Sequence, residues 1–131
     1  ETNGRAVATT DDMGETWTMH PSSNSALPEP NCMASLIAAD LQVDGGIKQV
    51  LFFSNPDNKY FRTNMTVKAS IDDGKTWPEE YRLEINEAEG YGYSCMTMID
   101  KDKIGILYEG VKELYFQVIP VQDVLDKITS Q

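Results

Sequence analysis

The segment Thr10-Asp11-Asp12-Met13-Gly14-Glu15-Thr16-Trp17 returns sixty residues later as Ser70-Ile71-Asp72-Asp73-Gly74-Lys75-Thr76-Trp77. Both follow the pattern Ser/Thr-x-Asp-x-Gly-x-Thr-Trp, and repetition at a fixed long interval marks a supersecondary unit used more than once. The residue types describe a hairpin corner. An Asp carboxylate accepts backbone N–H groups inside the turn, Gly takes a left-handed position, and the indole lays its broad face on a neighbouring sheet. Asp12 and Asp72 are therefore read as structural acceptors. An acid committed to turn hydrogen bonds is a poor proton donor.

The chain around the two corners reads as strand after strand. Short apolar runs rich in β-branched and aromatic residues predict strands over 5–10, 16–20, 33–41, 48–54, 65–70, 81–85, 94–99, 103–109 and 114–121. Turn-forming clusters at Asp44-Gly45-Gly46, Asn55-Pro56-Asp57-Asn58 and Asp72-Asp73-Gly74 separate them, which favours antiparallel hairpins. Val121, Val124, Leu125 and Ile128 share one helical face and predict a short closing helix over 121–128. The expected class is all-β.

Charge excludes several partners. With 21 acids against 11 bases, a net charge of −10 and three scattered arginines, the chain offers no basic patch for nucleic acid or an anionic membrane. No apolar run approaches the roughly 20 residues that span a bilayer, so no membrane insertion is expected. The single histidine, His20, has no second ligand nearby in sequence, and no metal site is expected there. Cys32 and Cys95 sit in apolar strand-like segments and are expected as buried, reduced thiols, with a mutual disulfide as the alternative. The start carries neither a Met nor a signal peptide, so the chain reads as cut from something longer.

The repeated corner resembles the Asp-box, or bacterial neuraminidase repeat, of β-propellers, best known from sialidases. In it Thr10, Asp12, Gly14 and Trp17, then Ser70, Asp72, Gly74 and Trp77, are the structural positions. A spacing of sixty residues suits one four-stranded blade with its loops. Three further motifs carry the resemblance. Arg62, just ahead of the strand leading into the second box, matches the third member of the sialidase arginine triad that grips the substrate carboxylate. A planar guanidinium also suits that task chemically, because it makes two parallel charge-assisted bonds. Tyr91-Gly92-Tyr93-Ser94 resembles the segment of the sialidase nucleophile and assigns Tyr93, with Tyr91 a weaker match. A neutral phenol approaches an anomeric centre bearing a carboxylate without like-charge repulsion. Ile104-Gly105-Ile106-Leu107-Tyr108-Glu109 resembles the strand whose Glu orients the first triad arginine, which assigns Glu109. If 94–99 and 103–109 form a hairpin, antiparallel pairing sets Tyr93 opposite Glu109 within one residue.

The resemblance implies that residues 1–131 are the C-terminal two to three blades of a six-bladed β-propeller. The first two triad arginines, the aspartate acid/base and the glutamate that draws the tyrosine proton then lie upstream. Arg5 reads as structural, as does Glu29, which sits between Pro28 and Pro30. Asn64-Met65-Thr66 fits a glycosylation acceptor but lies too close to Arg62 for a glycan to be expected. The implied activity is retaining hydrolysis of terminal sialic acid from glycans, without a cofactor, in the periplasm or outside the cell. The expected partner is the N-terminal part of the same propeller, or a second copy, because an open arc of blades exposes apolar faces. The chain alone is expected to be inactive. A non-catalytic Asp-box module or a trans-sialidase are the alternatives, the first distinguished by whether Arg62, Tyr93 and Glu109 converge.

Overall fold

A computed structural model describes residues 3–125. Nine strands and one helix follow in chain order: β1 (Ala8–Thr9), β2 (Thr18–Met19), β3 (Ser35–Val43), β4 (Gly46–Pro56), β5 (Met65–Ser70), β6 (Arg82–Asn86), β7 (Ser94–Asp100), β8 (Lys103–Glu109), β9 (Leu114–Pro120) and α1 (Val121–Leu125). They form three antiparallel sheets of two, four and three strands, ordered β1-β2, β3-β4-β5-β6 and β7-β8-β9. Within each sheet, neighbouring strands are consecutive in sequence, and tight turns join β3 to β4 and β7 to β8. The β3–β4 turn is one of these: Val43 faces Gly46, and both Asp44 (φ 50°) and Gly45 (φ 79°) are left-handed, the Asp-Gly pairing that matches strand twist. The fold is all-β, with one short helix.

Each expected strand has a counterpart, but the first two are shorter. Only Ala8 and Thr9 pair with Met19 and Thr18. Ahead of them the backbone bonds to a loop instead, with Arg5 N–H donating to Leu27 O (2.9 Å) and Asn24 N–H to Arg5 O (2.8 Å). The helix covers Val121, Val124 and Leu125 on a buried face, while Ile128 lies outside the described residues.

The main core fills the space between the four- and three-stranded sheets. Val50, Phe52, Val67 and Ala69 meet Met96, Ile104, Ile106, Tyr108 and Ile119 there, and α1 closes one end. Burying each such side chain contributes about 1.5–3 kcal/mol, which locks the two sheets face to face. Their inner strands are also pinned by polar contacts: Met96 N–H donates to Ser35 Oγ (2.9 Å), and the buried Ser54 and Ser94 hydroxyls lie 2.8 Å apart. The opposite face of the four-stranded sheet packs Phe53 against Trp77 and Leu27. Beside them Lys68 is fully buried, with its ammonium 2.7 Å from Asp57 Oδ1. Burial lowers the Lys68 pKa, while the Asp57 carboxylate works against that shift.

The cysteines divide. Cys32 is buried as expected, but Cys95 is exposed. Strand alternation turns Ser94 and Met96 into the core and Cys95 to the other face of β7. That face also carries exposed Ile99, Leu107, Phe116 and Val118.

Candidate active site

The two corners are superposable hydrogen-bond units. In the first, Asp12 accepts from Thr16 N–H (2.9 Å) and Thr16 Oγ1–H (2.6 Å), and Thr10 Oγ1 accepts from Gly14 N–H (2.9 Å). In the second, Asp72 accepts from Thr76 N–H (2.9 Å) and Thr76 Oγ1–H (2.6 Å), and Ser70 Oγ accepts from Gly74 N–H (2.9 Å). Trp17 and Trp77 each donate the indole N–H to the Gly carbonyl at 3.1 Å. Gly14 (φ 96°) and Gly74 (φ 76°) are left-handed, so a side chain there strains the turn. The Thr16 hydroxyl and amide hold the Asp12 carboxyl down to about 2. At Asp72 burial pushes the pKa up, but bonds from Thr76 and Ser70 outweigh it and leave it lowered. Such acids stay ionised at neutral pH and have no proton to give.

A second cluster forms where the β4–β5 connection, the segment before β7 and the end of β8 meet. Ser94 pairs with Tyr108, so the next residues outward, Tyr93 and Glu109, face each other across the hairpin. The Glu109 N–H donates to Tyr93 O (3.0 Å), and the Glu109 carboxylate accepts the Tyr93 N–H (3.1 Å). Glu109 therefore grips the Tyr93 backbone with one oxygen. This contact was not foreseen from the sequence, although the register that permits it was.

Arg62 lies over the other side of Tyr93, its guanidinium carbon 5.7 Å from the ring centroid. Its two terminal nitrogens donate to Tyr91 O and Asn31 O, both at 2.8 Å. Two of five N–H donors are thus spent on fixed carbonyls, and among the described residues the other three have no partner. The guanidinium is fixed yet able to bind an anion. Gly92 makes the approach possible: it is left-handed (φ 89°), and a Cβ there meets Cys32 Sγ at 2.9 Å and Pro56 Cγ at 3.0 Å. Tyr93 is 44% exposed, and none of the described residues hydrogen-bonds its hydroxyl.

Arg62, Tyr93 and Glu109 thus come together in one cluster, whereas Asp12 and Asp72 stay within their turns. Tyr91 contributes its carbonyl to Arg62, and its ring is exposed. Asn64 donates its amide to Glu84 (2.9 Å). His20 pairs with the Ser22 hydroxyl (2.8 Å). Among the described residues no group of three His, Cys, Asp or Glu side chains could hold a metal ion.

Antiparallel sheets joined by such corners and packed face to face define a class, the Asp-box β-propeller blade. The BNR repeat-like domain matches residues 1–106, and the chain belongs to that family. It is 48% identical to a sialidase of Bacteroides fragilis over 92% of its own length, spanning only 22% of that relative. Among solved structures, a Hadza microbial sialidase superposes with a TM-score of 0.84 at 48% identity, covering 93% of this chain and 24% of that one. A leech intramolecular trans-sialidase shares the fold, with a TM-score of 0.70 at 18% identity over 96% of this chain and 22% of that one. The chain thus spans about a quarter or less of the length of these relatives.

Proposed function

We propose that residues 1–131 form the C-terminal blades of a six-bladed sialidase propeller and supply part of its active site. Arg62 seats the carboxylate of a terminal sialic acid on its free N–H donors. Tyr93 attacks the anomeric carbon as an upstream glutamate takes its phenolic proton, while an acid from the upstream blades protonates the leaving oxygen. Water, losing its proton to that acid's conjugate base, then displaces the tyrosine, which regains its proton, and the sugar leaves with retained configuration. Glu109 holds the tyrosine backbone with one carboxylate oxygen and offers the other to a triad arginine from upstream. No cofactor is required. The substrate is a sialylated glycan, and in this reading, supported by the resemblance, the whole protein acts in the periplasm or outside the cell.

The observation that carries this reading is the Arg62 guanidinium over the exposed Tyr93 ring, 5.7 Å from its centroid, with Glu109 bonded to the Tyr93 backbone. A dispersed trio would favour a non-catalytic module. The chain also has faces that call for more blades: Ile99, Leu107, Phe116 and Val118 lie open on the last sheet, and a cleft of about 380 Å³ opens between β1 and the four-stranded sheet. Upstream blades of the same protein fill them in this reading, so the chain alone is inactive.

The test is release of sialic acid from a reporter sialoside by the full-length protein. Tyr93→Phe should abolish turnover, because the ring stays and only the attacking oxygen goes; wild-type turnover in that variant would refute the nucleophile. Arg62→Ala should lower kcat/KM by roughly ten- to a hundredfold, the worth of a charge-assisted hydrogen bond.

A further inference from the structure

Arg62 is held by backbone carbonyls, and one of them belongs to a segment that is itself clamped by charge. Asn31 O accepts from Arg62 at 2.8 Å, and the next residue, Cys32, is gripped on both of its backbone polar groups. The Glu29 carboxylate accepts the Cys32 N–H through Oε1, and Arg5 donates to Cys32 O at 2.7 Å. The same Arg5 nitrogen lies 2.5 Å from Glu29 Oε2. Glu29 is 8% exposed, and a buried carboxylate of this kind persists only against a matching cation. Arg5 is further fixed over the Phe53 ring, 5.5 Å from its centroid, and by its own backbone bond to Leu27 O. Asn31 is left-handed (φ 55°), so the chain reverses between the clamped Glu29 and Cys32 and carries the Asn31 carbonyl to Arg62. Cys32 completes the junction, its thiol donating to Gly92 O at 3.1 Å, one residue from Tyr93.

We infer that Arg5 and Glu29 are a positioning pair for Arg62, fixing through the Asn31–Cys32 peptide the guanidinium that receives the substrate carboxylate. The inference rests on the sialidase reading above and deepens it. Neither residue touches the bound sugar in this scheme. Their effect is transmitted by one carbonyl, and small misplacements of a binding group are enough to weaken a substrate contact. The pair therefore acts on affinity for the anionic group before it acts on turnover.

The experiment uses the full-length protein and reads KM and kcat for a sialoside together with the melting temperature. Glu29→Gln keeps the acceptor for Cys32 N–H but removes the charge opposite Arg5. Arg5→Lys keeps the charge but loses the planar guanidinium that lies over Phe53 while one of its nitrogens reaches both Glu29 and Cys32 O. Each should raise KM roughly tenfold with a smaller change in kcat. In an Arg62→Lys background neither should raise KM further, because residues acting through one group are non-additive. Val50→Ala, in the core between the sheets, supplies a variant of lowered stability whose KM should stay at the wild-type value. An unchanged KM in folded Glu29→Gln and Arg5→Lys proteins overturns the inference, and so does an equal rise in the Arg62→Lys background. If both variants fail to fold while Val50→Ala folds, the pair is a folding requirement and the inference is likewise overturned. Should Arg62→Lys leave KM untouched, the sialidase reading itself fails; an effect of Arg62→Lys with silent Glu29 and Arg5 variants overturns only the positioning role.

Discussion

The two Asp-boxes are the same object in different surroundings. Their internal hydrogen bonds agree in partner and, within 0.1 Å, in distance, from Gly N–H to hydroxyl at 2.9 Å to indole N–H to Gly carbonyl at 3.1 Å. Yet Trp77 is 7% exposed and Trp17 is 63% exposed. Trp77 packs on Phe53, 5.8 Å between centroids, at the face of a complete four-stranded sheet. Trp17 ends a hairpin whose strands are two residues each. The difference teaches that the box closes on its own hydrogen bonds, while its contribution to packing depends on the blade behind it. The turn is a local device; the indole is a tertiary one.

The largest expected effect follows from that division. Trp77→Ala should cost about 3–5 kcal/mol, since it empties a buried aromatic site, whereas Trp17→Ala should cost under about 1 kcal/mol. Urea denaturation of the chain 1–131 measures both. Equal costs would break the comparison by showing that the first box buries its indole without a complete blade behind it. A smaller contrast is expected for the carboxylates. Asp72→Asn should destabilise by about 1 kcal/mol, because it weakens charge-assisted bonds in a partly screened turn. Asp12→Asn should act with the same sign and a lesser size, and a larger loss there would reverse the ranking.

What the sequence made legible was whatever repeats or alternates. The boxes, the strand pairs and the Tyr93–Glu109 facing follow from spacing, because a hairpin has a fixed register once its turn is known. The nearness of Arg62 to Tyr93 came from resemblance, and the geometry agrees with it. The rest depended on contacts that leave no pattern. Arg62 is held by carbonyls of Asn31 and Tyr91, and every residue has a carbonyl. The buried Lys68 was missed because an isolated lysine in a strand reads as a solvent-facing position; the Asp57 side chain arriving from the preceding β4–β5 loop lets it lie inside. Cys95 was misjudged because alternation gives two faces to β7 without saying which is covered. Glu29 and Arg5 were read as structural, and nothing in their spacing ties either of them to Arg62.

The smallest effect is the most direct probe of the turns themselves. Both box carboxyls titrate below the ordinary carboxylate value of 3.8, Asp12 at about 2 through bonds from Thr16, and Asp72 lowered by Thr76 and Ser70 against opposing burial. A carboxyl whose folded pKa is depressed contributes stability that is fully present above its unfolded pKa and is lost as pH falls through the folded value. The boxes should therefore hold at pH 5 and give up that contribution between about pH 4 and 2. Burial disfavours the charged form of Asp72, whereas Asp12 is held down to about 2 by the Thr16 bonds, so Asp72 should take up its proton at the higher pH. Carboxyl carbon NMR of the two residues, assigned with Asp12→Asn and Asp72→Asn, follows each proton directly. Titration of both near the ordinary value would mean that the Thr16 and Thr76 bonds do not form in solution. The reverse order would mean that the environment of the second box favours the charged form more than its own turn does, and the sameness of the two units would then end at their hydrogen bonds.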